Sequence, residues 1–110
     1  MHKIENIEFI HPLKSDKVKR GLEYISKRND GCISKVLVFG SAITADCRPD
    51  SDIDLCFVTD ATCKNPVYAD IYGHMELVMD DLCDILSYRK LTGQLKNEID
   101  KKGVVIYEYQ

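Results

Sequence analysis

The sequence predicts an α/β fold, a small mixed β-sheet flanked by helices, and three observations carry that expectation. Short apolar runs such as Val36-Leu37-Val38-Phe39 are bounded by turn residues, as strands buried on both faces are. Other segments repeat their apolar residues at helical spacing, Val18, Leu22 and Ile25 being one such stripe. The two kinds of segment alternate in the order αβαβαβαβ.

A first helix is expected over Ser15 to Asn29, with Ser15 as N-cap and Asn29-Asp30-Gly31 as its stop. The strand Ile33 to Phe39 follows, and Gly40 then leads into a short helical turn from Ser41 to about Cys47. Arg48-Pro49-Asp50-Ser51 breaks that turn and opens the second strand, Asp52 to Thr59. Asn65-Pro66 starts a helix running to about Asp80, with Val67, Ile71, Met75 and Val78 on its inner face. Leu82 to Leu86 reads as a third strand. Thr92 to Lys102 reads as a last helix, with Leu95 and Ile99 inward and Gly103 ending it, before a short strand at Val104 to Tyr107.

A chain of 110 residues suits one hydrophobic core, so a single domain over 1–110 is expected, its core spanning about 33–107. With 45% apolar and 30% charged residues, the composition is that of a soluble globular protein and excludes a disordered or fibrous one. No apolar run is long enough to span a membrane, and Met1-His2-Lys3-Ile4-Glu5 does not open a signal peptide, so a cytoplasmic protein is expected. The five cysteines (Cys32, Cys47, Cys56, Cys63, Cys83) are odd in number and lack zinc-type spacing, which reads as reduced, mostly buried thiols. A net charge of −3 argues against a polynucleotide substrate, which is gripped through its phosphates by basic surfaces.

The carboxylates break this pattern. Along the second strand Asp52, Asp54, Cys56 and Val58 share one face, because side chains alternate. The two carboxylates then stand about 7 Å apart, a pair that repels and is costly to bury. A divalent cation removes that cost, since Mg²⁺ takes hard oxygen ligands and is commonly held by one or two carboxylates plus substrate phosphates. Asp84 interrupts the third strand in the same way. If the two strands are neighbours, three carboxylates converge as a two-metal transfer site requires, its ions roughly 3.5–4 Å apart. Gly40-Ser41 supplies the complementary half: close backbone approach at the glycine, and exposed N–H groups at a helical start that favour an anionic triphosphate.

Gly40-Ser41, ten residues, then Asp52-Ile53-Asp54 preceded by Ser51, resembles the G-S-x₁₀-D-x-D signature of the minimal nucleotidyltransferases (MNT) of the DNA polymerase β superfamily. The likeness covers roughly Ile33 to Tyr107. It implies that Asp52 and Asp54 bind two Mg²⁺ or Mn²⁺ ions and that Asp84 completes one site and helps deprotonate the acceptor. It implies also that Gly40 and Ser41 contact the nucleoside triphosphate, with ATP as substrate and pyrophosphate as product. Many relatives carry an arginine after the glycine-serine where this chain has Ala42, leaving metal, backbone and Arg48 to meet phosphate charge.

Such stand-alone domains are commonly paired with a helical HEPN-type toxin, so the resemblance implies an antitoxin that adenylylates a partner tyrosine. A non-catalytic antitoxin or scaffold of the same fold is the alternative that Ala42 favours. A small-molecule nucleotidyltransferase acting as a homo-oligomer is a third. Among the remaining residues, His11 reads as linker, His74 as a surface helix histidine, and Lys90, Lys96, Lys101 and Lys102 as a solvated face. Tyr107 and Tyr109 read as partner contacts or the half-buried end of the sheet.

Overall fold

In the computed structural model, which describes residues 2–28, 31–80 and 82–109, the elements are β1 (His2–Ile4), α1 (Pro12–Arg28), β2 (Ile33–Phe39), β3 (Ile53–Thr59), α2 (Asn65–Val78), β4 (Cys83–Ser87), α3 (Gly93–Lys102) and β5 (Val104–Tyr109). Short 3-10 turns occupy Ile7–Phe9, Gly40–Ile43 and Tyr88–Lys90. The strands form one sheet in the order β1-β5-β2-β3-β4. Only β3 and β4 pair in parallel among the described pairings, so the sheet is mixed as predicted.

Each face of the sheet takes its own helices. Val36 and Val38 of β2 and Ile53, Leu55 and Phe57 of β3 pack with Val18, Leu22 and Ile25 of α1 and Ile71 and Met75 of α2 in one buried cluster. Leu37 alternates to the opposite face, where the end of α3 lies against it. There Gly103 needs no left-handed backbone, since its φ is −65. A Cβ at that position would instead stand 2.6 Å from the Ile99 carbonyl oxygen and 3.2 Å from Leu37, so the glycine is a matter of space.

Several expectations are corrected. The N-terminal β1 was not legible: it has three residues and pairs with β5, His2 opposite Tyr109. Helix α1 starts at Pro12, not after Ser15. His11 is its cap rather than linker, its Nδ1 accepting the Leu13 N–H at 3.2 Å and its carbonyl accepting those of Lys14 and Ser15. Asn29 and Asp30 of the predicted stop lie outside the described residues; Gly31 has φ 86. The Ser41 to Cys47 helix is a 3-10 turn ending at Ile43, so only β2 and β3, an antiparallel pair, flank it. Leu95 faces outward, 40% exposed, while Ile99 is buried as expected. Tyr107 is fully buried in the core rather than at a half-exposed end, and shares a 2.6 Å hydrogen bond with His2 Nδ1.

The cysteine reading also changes. Cys32 and Cys63 form a disulfide, while Cys47 and Cys56 are buried thiols and Cys83 is half-buried. Pairing of β2 with β3 sets Ile33 opposite Thr59 and lets the Asp60 N–H donate to the Cys32 carbonyl at 2.8 Å, bringing together two cysteines 31 residues apart. No helix among the described residues is long and apolar enough to cross a membrane.

Candidate functional site

Parallel pairing of β3 with β4 sets Asp54 beside Asp84, and antiparallel pairing with β2 sets Asp54 beside Phe39. Paired residues point to the same side, so Phe39, Asp54 and Asp84 form one row across three strands, on the face opposite the α1 and α2 cluster. The next row on that face is Leu37, Cys56 and Leu86. Cys56 is fully buried there, and burial with the Asp100 charge behind it pushes its thiol up to about 11, so it stays a neutral packing group. The carboxylate row thus stands directly beside apolar packing.

Asp54 is half-buried and Asp84 exposed; Asp52 lies one residue ahead of β3 and is exposed. Burial raises the Asp54 carboxyl above the ordinary aspartate range, and the charges of Asp84 and then Asp52 raise it further. Asp84 and Asp52 therefore both act on Asp54.

Gly40 follows Phe39 with φ 73, a left-handed conformation that side chains resist. A Cβ on it would overlap the Asp54 Oδ2 atom and stand 3.2 Å from its Cγ. The bare glycine is what allows the chain to turn directly over the carboxylate. Ser41 is half-buried in the turn, and its carbonyl accepts both the Thr44 N–H and the Thr44 hydroxyl at 3.0 Å.

Ala42 is wholly buried in the core, and its carbonyl accepts the His11 N–H at 2.7 Å. This position points inward, so a long cation here would have to displace core packing. Arg48 is exposed on the loop between the turn and β3. Ser51 closes that loop, its Oγ accepting the Arg48 N–H at 3.0 Å and its own N–H donating to the Arg48 carbonyl at 3.0 Å.

One residue of this region was missed. Lys14 is only 2% exposed, and its Nζ donates to the Pro49 carbonyl at 2.9 Å, tying the loop before Asp52 to α1. The signal was present, since Lys14 continues the stripe of Val18, Leu22 and Ile25 at helical spacing. Among the described residues, no group of three or more His, Cys, Asp or Glu side chains is drawn together closely enough to hold an ion as they stand. The donor chemistry nevertheless fits a hard divalent cation: every candidate ligand is a carboxylate, and Asp54 carries the cost of burial as well as the charges of Asp84 and Asp52, which an ion would offset.

The family model described as "Polymerase beta, Nucleotidyltransferase" matches residues 22–110. No curated protein matches the sequence. Among solved structures, the fold is similar to a toxin-antitoxin crystal structure with AMP-PNP: TM-score 0.62 and 19% identity, over 86% of this chain and 73% of that one. It is similar also to the Shewanella oneidensis complex of a tri-AMPylated HEPN toxin with its MNT antitoxin, with TM-score 0.60 and 16% identity over 89% of this chain and 74% of that chain. A protein assigned as a minimal nucleotidyltransferase aligns over 91% of this chain and 95% of its own, with TM-score 0.61 and 21% identity. These likenesses concern the fold. A mixed five-stranded sheet with three helices is what they share with this chain.

Proposed function

Because this chain belongs to the polymerase β nucleotidyltransferase family, we propose that it transfers AMP from ATP to a hydroxyl, a tyrosine of a HEPN-type helical partner whose toxicity it silences. The observation that carries this reading is the row Asp54–Asp84 with the Gly40-Ser41 turn packed directly on Asp54, which sets a glycine-serine turn beside paired carboxylates. Support for nucleotide and partner comes from the similar toxin-antitoxin structures, one with AMP-PNP and one with an AMPylated HEPN toxin.

Asp52, Asp54 and Asp84 would hold Mg²⁺ or Mn²⁺, two ions in the full site, which when bound supply charge neutralisation at the triphosphate and at the acceptor oxygen. Gly40 lets the turn lie directly on the Asp54 carboxylate, and its backbone, the Ser41 hydroxyl and the turn N–H groups would meet the phosphates as neutral groups. Arg48, on the loop that Ser51 closes and Lys14 tethers, is the nearest candidate cation of that loop for phosphate charge. Asp84, exposed on the edge strand, would help take the acceptor's proton.

A second reading is favoured by the buried Ala42: the chain keeps the fold and neutralises its partner by contact alone. Nucleotide binding separates the two. With millimolar ATP and Mn²⁺ the thermal midpoint should rise, ligand at about 100 times Kd being worth roughly 2.7 kcal/mol, and the rise should be largely lost in Asp52→Asn. No shift in the wild type would overturn the enzyme reading.

A further inference from the structure

We propose that the cavity at the carboxyl ends of β3 and β4 is a second binding site, one that takes a small phosphoryl-bearing anion. Thr59 ends β3 and Ser87 ends β4, and both line a cavity of 210 Å³ together with Asn65 and Tyr68 of α2. The crevice beyond the carboxyl ends of parallel strands is where α/β sheets commonly receive ligands, because the chain diverges there into separate connections. Asp54 lies five residues back along β3, about 16 Å by the rise of a strand, so a ligand here does not touch the carboxylate row.

The lining is built for an anion. Arg89 and Lys90 contribute two cations and no carboxylate joins them, in a chain whose net charge is −3. Asp60 is the neighbouring acid but lies outside the lining; its Oδ1 accepts the Thr62 hydroxyl at 2.7 Å and the Thr62 N–H at 2.9 Å, and these bonds, helped by the Arg89 charge, hold it ionised below the ordinary aspartate range. Lys90 has no ion-pair partner among the described residues. An Arg fork with a lysine and several hydroxyls is the donor set that suits the three oxygens of a phosphoryl group.

Size and shape narrow the ligand further. At 210 Å³ the cavity is below the 300–1,000 Å³ common for drug-sized ligands, so it admits a small molecule or the phosphoryl end of a larger one. Tyr68 forms a fixed wall, its ring edge-on to Phe57 with centroids 6.2 Å apart. Burial raises its hydroxyl above the ordinary tyrosine range, so it remains protonated and able to donate.

The test is an amide-resolved NMR titration of the intact chain, at constant ionic strength, with inorganic phosphate, pyrophosphate and glycerol phosphate in separate arms. Saturable shifts at Thr59, Ser87, Arg89 and Lys90 are expected in at least one arm, and the arm that saturates assigns free anion or ester. Arg89→Gln with Lys90→Gln, both exposed positions, should weaken that binding at least about tenfold, while Asp54→Asn should leave it unchanged. The proposal is overturned if no arm saturates below about 10 mM, if sodium chloride produces the same shifts, or if the double variant binds equally well. Shifts confined to Gly40 and Ser41 and lost in Asp54→Asn would overturn it too, by placing the anion at the first site.

Discussion

Substituting Gly40 by alanine should destabilise the fold through two separable effects. The left-handed backbone, φ 73, costs a side-chain-bearing residue about 1–2 kcal/mol wherever its Cβ points. The second effect is the overlap of that Cβ with the Asp54 carboxylate, which must move within a half-buried site, at about 1–3 kcal/mol for overpacking. Shortening Asp54 to alanine removes the carboxylate and leaves only the Asp54 Cβ, at an ordinary 3.5 Å contact. The backbone term then survives in the double variant while the overlap vanishes, so a double-mutant cycle should show a favourable coupling of about 1–3 kcal/mol. Urea unfolding of the four proteins without metal reads this directly; in thermal scans each kcal/mol is worth about 4–8 °C in a domain near this size. Asp54→Asn, which keeps the shape and loses the charge, should retain the penalty of Gly40→Ala. Additivity within about 0.5 kcal/mol would refute the packing of Gly40 on Asp54. The same geometry changes what Gly40→Val reports: the sequence alone predicts lost nucleotide binding in a surviving fold, whereas the structure predicts lost stability as well.

Three further outcomes follow from named contacts. Asp54 holds its proton to higher pH in the folded chain than in the unfolded one, so the stability it contributes is present below the ordinary aspartate value of about 3.9 and lost as pH rises through the folded value. Asp54→Asn should therefore gain on the wild type from acid to neutral pH in metal-free thermal melts, and a pH-independent difference would contradict the burial and repulsion that raise the Asp54 carboxyl. Gly103→Ala should destabilise by about 1–3 kcal/mol, since the Ile99 carbonyl it meets at 2.6 Å is backbone, while Gly73→Ala, with nothing within 4 Å in α2, should stabilise by about 0.5–1 kcal/mol. Chemical denaturation distinguishes the two. Lys14→Ala should cost about 1.5–3 kcal/mol through loss of the charged hydrogen bond to Pro49 and should raise amide exchange across Arg48 to Asp52; unchanged exchange there would show that the tether does not hold the loop.

What the sequence made legible follows from range. The bounds of β2 are read correctly because a buried strand writes its whole signal into one apolar run, Val36 to Phe39. The alternation along the strand put Asp54 on the correct face for the same local reason, although Asp52 lies one residue ahead of β3. The pairing of Asp54 with Asp84 stayed conditional, because strand order across α2 is not local information. Long-range partners were out of reach altogether: β1 exists through Tyr107 to Tyr109, and the disulfide joins residues 31 apart. Lys14 is hidden for another reason: a charged residue type conceals its place on a buried helical stripe.

The most direct test of the account is transfer itself. The proposed HEPN-type helical partner, co-expressed with wild type or Asp54→Asn and weighed by intact mass spectrometry, should gain about 329 Da per AMP added only with the wild type, the complex forming in both. Loss of the carboxylate proposed to hold the ions should slow the step about a thousandfold or more. Unmodified partner with both proteins, its toxicity still suppressed by Asp54→Asn, would contradict transfer and leave binding as the mechanism.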